Sequence, residues 1–401
     1  MISAVNSITS EKLEQATRLL NENGLDTWLI LTREGTDPAL PLIVGIRSVH
    51  KAAIFIRSNG EHIALTSVSD KGSYESTNLF KKVLVYEAGM EEAFLTLFEE
   101  VQPQKLALNI SESDHLCDGL TQGLYVWLEN VIGKERLAGM EVSSESVLKK
   151  LRSVKTAGEL QNIKKAIRYT TDIFDDVFKR ITCGMTELEI GQLFVDEMGK
   201  RGVTNGLGHP NDPPLVCIAR KGLAHRKPAD HQTEPGDIVI IDFSLKYSHY
   251  VSDIARTCYF LKPGEKQAPV EIQHAFDTAI DAITASIEAL VPGKAGYEVD
   301  AVGRQVIEDG GYPTIRHSVG HQIGRATHDG GTILGPKRVP PRPEVEGIIE
   351  VGEIYAIEPT VIQDNGLPCI LVEENVLVTE KGPVVLSKRQ TELVLIQAEG
   401  K

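Results

Sequence analysis

The sequence predicts two domains, a small α/β domain over residues 1–150 and a larger α+β domain over residues 151–401. Three observations predict it. At 401 residues the chain is longer than one hydrophobic core ordinarily organises. Up to about residue 150, short strand patterns alternate with helical ones, the rhythm of an α/β layer. Around Val142–Lys155 the character changes to long helical stretches separated by β-rich segments.

In chain order, Ser10 to Glu22 has the apolar spacing of an amphipathic helix, and the apolar run Thr27–Leu31 follows as a strand. Arg33–Asp37 reads as a surface loop. Ala52–Arg57, His62–Ser67 and Lys82–Tyr86 are short strands bounded by turn residues. Met90–Glu100 is helical and Lys105–Asn109 a strand. In the second domain, Leu148 to Arg180 is dominated by helical spacing, with Leu160, Ile163, Ala166, Ile167, Ile173 and Phe174 on one face. Another helix opens at Thr186, where Glu189 completes a capping box. A third runs from Val270 to Leu290 and stops at Pro292-Gly293. Neither an internal repeat nor a low-complexity stretch is present.

Composition narrows the function. With 41% hydrophobic and 24% charged residues the chain reads as soluble and globular. A formal charge of −14 argues against a nucleic-acid-binding surface, which concentrates Lys and Arg. No run of about 18 apolar residues occurs, so no membrane partner is expected. The start lacks a basic segment followed by an apolar one, as a signal peptide would have. Five scattered cysteines without a Cys-x-x-Cys pair fit reduced packing thiols and a cytoplasmic location.

The chemistry-bearing residues lie on predicted hairpins. Asp242 closes the strong strand Asp237–Asp242, and Asp253 lies on the strand Val251–Tyr259 beyond a polar turn at Lys246–His249. A hairpin centred between Tyr247 and Ser248 places the two acids directly opposite each other, with Cβ atoms about 4.5–5.5 Å apart. Near the C-terminus, Asp364-Asn365-Gly366-Leu367 carries the Asn-Gly signal of a type I′ turn. Centring a hairpin there sets Glu358 opposite Glu373, and Glu374 opposite Ile357 on the other side of the sheet. An isolated acid on a strand usually faces solvent. Two facing pairs are different, because carboxylates about 4 Å apart repel by roughly 4 kcal/mol at an effective dielectric near 20. Such pairs hold either protons or cations.

His317 and His321 stand four apart in Arg316–Gly324, and His328 follows in Ala326–Gly331. A single strand histidine is more often structural than chemical. Three within a dozen positions, with Gly320 and Gly324 permitting close backbone approach, strengthen a site. His225 by itself reads as a loop residue. Four carboxylates and one imidazole form an oxygen-rich ligand set that suits Mn²⁺, Co²⁺, Fe²⁺ or Zn²⁺. Two metals held this way activate water for hydrolysis.

These residues resemble the pita-bread metallopeptidases, the family of prolidase, aminopeptidase P, methionine aminopeptidase and creatinase. The resemblance rests on Ile241-Asp242-Phe243, Ser252-Asp253-Ile-Ala-Arg256, His317-x-x-Gly-His321-x-x-Gly324, Ile357-Glu358-Pro359, and Glu373 before Val376–Glu380. It covers about residues 150–395. It implies a pita-bread catalytic domain preceded by a smaller creatinase-type N-terminal domain. It further implies two divalent metal ions, Mn²⁺ first, on Asp242, Asp253, His321, Glu358 and Glu373, with Asp253 and Glu373 bridging. Glu358 would also be the general base. His225 and His328 would contact substrate and stabilise the tetrahedral intermediate, and His317 would help place the substrate. The implied reaction is hydrolysis, by hydroxide held on the metals, of the bond before proline in dipeptides or at peptide N-termini, by a homodimer.

Three positions depart from the family pattern. Ser244 stands where Gly is usual, Asp329-Gly-Gly where Glu and Pro are common, and Leu371 where prolidases and aminopeptidases P often carry Arg. The departures keep open a second reading, a pita-bread hydrolase or lyase for a small non-peptide substrate, as in creatinase or ectoine hydrolase. A non-enzymatic binding module is a third, disfavoured because all five ligand types are present.

Overall fold

A computed structural model describes residues 2–46, 48–222, 226–363 and 366–397. The chain divides into two compact units, Met1–Arg152 and Ser153–Lys401.

The first unit is built on six strands: β1 (Thr27–Thr32), β2 (Ala52–Arg57), β3 (Ile63–Ser67), β4 (Lys82–Tyr86), β5 (Leu106–Leu108) and β6 (Glu141–Ser143). They form one mixed sheet in the order β4-β3-β2-β1-β5-β6. Strands β1, β2, β3 and β5 read as continuous apolar runs because both faces are covered. Trp28, Ile30, Ile54 and Ile56 pack with Leu13, Ala16, Leu19 and Leu20 of the helix Ile2–Glu22. Leu29, Leu31, Ala53 and Phe55 face Phe94, Leu97 and Phe98 of the helix Glu91–Val101. In the segment Arg33–Asp37, Arg33, Glu34 and Thr36 lie on the surface as expected, but Asp37 does not. Asp37 is 1% exposed, because Asn109 donates to both of its oxygens at 3.0 and 2.8 Å and the Ala39 N–H to one at 2.8 Å.

The predicted helical stretch Leu148–Arg180 is two helices, Glu145–Ser153, nearly all of it in the first unit, and Ala157–Phe178 in the second. A capping box of Thr156 with Glu159 starts the second one, a signal as local as the one at Thr186–Glu189. The first sheet of the second unit contains β7 (Thr204–Asn205), β8 (Leu215–Ile218), β9 (Ile238–Tyr247) and β10 (Tyr250–Phe260). A fifth strand joins it from the C-terminal end of the chain. A second, four-stranded sheet uses β11 (Gly320–Gln322) and β12 (Ile354–Ile357). Next come the hairpin of β13 (Val361–Gln363) and β14 (Gly366–Ile370), and then β15 (Glu374–Thr379) and β16 (Gly382–Val385). The last strand, β17 (Val394–Ile396), returns to the edge of the first sheet beside β10. The helices Val270–Ala289 and Gly296–Asp309 pack on the second sheet, burying Phe276, Ile283, Val299 and Ile307 against Ile357, Val376 and Val378.

The two expected registers fare differently. β12 and β15 pair with Ile357 opposite Glu374, as the sequence predicts, so Glu358 and Glu373 lie just beyond the paired ends. The turn residues Asp364 and Asn365 lie outside the described residues. In the β9–β10 hairpin, Asp253 pairs with Ser244 and Asp242 with Ala255, so the direct Asp242–Asp253 pairing is corrected to a diagonal one. The cause is the turn. Ser248 and His249, not Tyr247 and Ser248, occupy its centre, both with positive φ (47° and 71°), as primed hairpin turns require. Because side chains alternate with period two, a two-residue displacement leaves both acids on the same face.

Candidate metal centre

β9 carries Ile238, Ile240, Asp242 and Ser244 on one face and Ile241, Phe243 and Leu245 on the other. Phe243 seats the outer face, with its ring 5.2 Å from Phe194 and 6.1 Å from Phe174. Asp242 is thereby turned inward with Asp253 of β10. The second sheet supplies the remaining groups. The N–H of Glu358 donates to the Val319 carbonyl at 2.7 Å, and that of Glu373 to the Ala255 carbonyl at 3.1 Å. Glu373 is thus tied to β10 beside Asp253, while Glu374 faces away and meets Arg256, Ser387 and Gln390.

His321, in the middle of β11, faces the acids. Its Nδ1–H points to the Gln322 carbonyl at 3.4 Å. Its Nε2 is left 3.6 Å from Asp253 Oδ2 and 3.7 Å from Glu358 Oε1. Such a hydrogen bond sets the tautomer that leaves Nε2 free as a ligand. Ligand atoms of Asp253, His321 and Glu373 all lie within 4.8 Å of one another. Gly320 permits the approach of the two strands, since a Cβ there would sit 2.3 Å from the Ala356 carbonyl oxygen.

The electrostatics are those of a site built for cations. Burial, then Asp242 and then Glu358 push the Asp253 carboxyl well above its ordinary range. Burial and Asp242 do the same to Glu358. Burial, followed by Asp253, Glu358 and Asp242, raises Glu373 against the opposing pull of Arg256. Burial and the neighbouring His328 push His321 down to about 3, so its imidazole is neutral. A buried set of mutually repelling carboxylates around a neutral imidazole is relieved by protons or by divalent cations. The donor set fits the metal ions expected from the sequence.

The three other histidines differ. The His328 ring stands 4.3 Å from that of His321 and is exposed. His317, half-buried, donates from Nδ1 to the Ser318 carbonyl at 2.7 Å, and its Nε2 lies 3.1 Å from Thr360 Oγ1. Thr360 in turn donates to the Glu358 carbonyl at 2.9 Å. His225 lies outside the described residues. Glu187 accepts from the N–H groups of Ile218 and Ala229, both at 2.8 Å, and pairs with Arg226. A cavity of about 330 Å³ opens against Asp242, walled by Leu188, Leu207, Pro213, Pro214, Leu215 and Pro228.

Sequence reasoning missed Asn375. Its side-chain amide donates to the Asp253 carbonyl at 2.5 Å and accepts from the Asp253 N–H at 3.1 Å. No local signal could have found it, because its partner is 122 residues away. Leu371 is buried with Ile240, Ala255 and Cys369, so the place of the family's Arg belongs here to an apolar cluster.

Fold and site together define a metal-dependent enzyme, and its candidate ligands come from two adjoining sheets of one domain. The chain belongs to metallopeptidase family M24, the pita-bread family, whose model matches residues 161–380. It is 28% identical over 323 residues to a Xaa-Pro dipeptidase of Pyrococcus furiosus, covering 80% of this chain and 87% of that protein. Among solved structures, a Xaa-Pro dipeptidase from Bacillus anthracis superposes with a TM-score of 0.76 at 21% identity, covering 97% of this chain and all of that one. An X-Pro aminopeptidase from Thermotoga maritima gives a TM-score of 0.73 at 22% identity, covering 96% and 99%. The family works with divalent metal ions and peptide substrates. Among the described residues no helix is long and apolar enough to cross a membrane.

Proposed function

We propose that this protein hydrolyses the peptide bond before proline, in Xaa-Pro dipeptides or at peptide N-termini. The observation that carries the reading is the convergence of Asp253, His321, Glu358 and Glu373, with Asp242 on the same face of its sheet. Dipeptidases and an aminopeptidase of this bond stand among the similar proteins. The five residues would hold two divalent metal ions, with Mn²⁺ the first choice. When bound, the ions polarise a carbonyl and lower the pKa of water to near neutrality.

The chain's own groups do the rest. Glu358 takes the proton of the attacking water as general base. His328 and His225 donate hydrogen bonds to the oxyanion that develops on the scissile carbonyl. His317, fixed by Thr360, helps hold the substrate in place. The apolar cavity beside Asp242 accommodates the side chain of an uncharged residue. Five free cysteines support a reducing, cytoplasmic setting, and a homodimer completes the reading.

The test is release of free proline from Ala-Pro, and of alanine with Pro-Ala from Ala-Pro-Ala, with added Mn²⁺, beside Asp253→Asn. Cleavage of the dipeptide alone makes the protein a dipeptidase, and cleavage of the tripeptide an aminopeptidase. Silence on both, with metal bound, sinks the reading. It would favour the alternative suggested by buried Leu371, a hydrolase or lyase for a small non-peptide substrate.

A further inference from the structure

His328 sits on the turn that follows β11, and the residues on either side of it are held by groups unusual for this family. On its N-terminal side, Thr327 Oγ1 lies 2.9 Å from Ser244 Oγ, and Ser244 Oγ also donates to the Ser252 carbonyl at 2.9 Å. On its C-terminal side, Asp329 turns inward. Its N–H donates to the Gln322 carbonyl at 3.1 Å, and its Oδ2 accepts from the Arg325 N–H at 3.2 Å. The same oxygen stands 3.7 Å from Lys155 Nζ, with the two side chains only 3% and 1% exposed.

The packing around this pair is tight. A Cβ on Gly324 would lie 2.0 Å from Asp329 Oδ2 and 3.0 Å from Lys155 Nζ. The last glycine of His317-x-x-Gly-His321-x-x-Gly324 is therefore required by the ion pair. Lys155 is itself anchored, its N–H donating to the Gly352 carbonyl at 3.0 Å. Glu353 lies within its field and accepts from Tyr355 Oη at 2.7 Å, and Gln322 Nε2 donates to that hydroxyl at 3.2 Å. Strand alternation connects the two sides. On β11, His321 faces the carboxylates, while Gln322 faces Tyr355 and receives the Asp329 N–H.

We propose that the buried Lys155–Asp329 pair is the positioning element for His328, holding the turn so that its imidazole stays beside His321 and over the metal ligands. The inference rests on the assignment of His328 to oxyanion stabilisation. Neither Lys155 nor Asp329 touches the reacting atoms. They act by fixing where the His328 Cα lies, and small misplacements of such a group cost rate steeply.

The experiment uses the full-length, Mn²⁺-loaded protein and the variants His328→Ala, Asp329→Asn, Asp329→Glu and the pair Lys155→Met with Asp329→Asn. The paired variant removes both partners of the ion pair, so neither is left buried without the other, which guards against misfolding. Asp329→Asn and the paired variant are expected to lower kcat on Ala-Pro by about 10- to 100-fold. KM should move less than about threefold and metal content stay unchanged. Asp329→Glu, which keeps the charge, should restore most of the rate.

Added to His328→Ala, the paired change should cost almost nothing further, because both act through one residue. Losses that multiply with that of His328→Ala overturn the proposal, as does a paired variant of near-normal kcat. An independent arm needs no activity: in protein loaded with diamagnetic Zn²⁺ and labelled with ¹⁵N in its histidine rings, the His328 resonances should move in the paired variant while those of His274 stay. Unmoved His328 resonances overturn the proposal. Absence of peptide hydrolysis in the unmodified protein defeats the functional reading alone and leaves this spectroscopic arm to decide.

Discussion

Asn375 serves Asp253 as a strand partner in miniature. Its amide NH₂ donates to the Asp253 carbonyl, and its amide oxygen accepts the Asp253 N–H. A ligand-bearing backbone that would otherwise carry two unpaired buried groups is satisfied by one side chain from the neighbouring sheet. Asn375 is fully buried and its own N–H bonds Ser387 Oγ at 3.0 Å, so the connection is rigid.

Asn375→Leu should therefore weaken both stability and metal binding. Two buried backbone groups lose their partners, at a cost of about 1–3 kcal/mol each. Mn²⁺ affinity should fall by about 10-fold or more, as for other groups that orient a ligand. Thermal melting and calorimetric Mn²⁺ titration measure the two effects, and an unchanged affinity would count against the orienting role.

Asp253→Asn should separate the stability of the metal-free protein from its metal binding. It removes one of several like charges in a buried cluster, so the metal-free variant should be as stable as the metal-free parent or more so. It should also bind fewer metal equivalents by elemental analysis and gain less melting temperature from Mn²⁺. A metal-free variant clearly less stable than its parent would contradict the repulsion argued here.

Asp37 gives the first unit a distinct pH dependence. Burial lifts its carboxyl to about 6, with the hydrogen bonds from Asn109 and the Ala39 N–H pulling the other way. Because the folded value is raised, this contribution is fully present below the unfolded value near 4 and is lost as the pH rises through about 6. The shift corresponds to about 3 kcal/mol. Asp37→Asn should flatten the stability profile between about pH 4 and 7 in urea titrations of the full chain. A profile with the same slope would rule this group out as its source.

Leu371 cannot simply be returned to the arginine common in relatives. Its side chain is 1% exposed within an apolar cluster, and its N–H and carbonyl both meet Thr257 Oγ1. Leu371→Arg would bury an unpaired guanidinium at a cost of about 3 kcal/mol or more. Chemical denaturation measures it. A variant as stable as the parent would show that the charge finds a partner.

Much of the site was legible in the sequence because it rests on local regularities. Period-two alternation placed Asp242 and Asp253 on one face and separated Glu373 from Glu374. The capping box at Thr186 and the long apolar faces marked helices. Asp37 was misjudged because polar spacing in a loop says nothing about a partner as distant as Asn109.

What the tertiary structure alone decided is register and partnership. The diagonal placement of Asp242 and Asp253 depends on Ser248 and His249 adopting positive φ, which neither residue type announces. The Asn375–Asp253 and Lys155–Asp329 links join segments far apart in the chain, whose meeting follows from the packing of the whole domain. Side-chain periodicity is a property of neighbouring residues and is written in the sequence. Long-range contact is a property of the folded chain, and it is what brings the candidate ligand residues into one site.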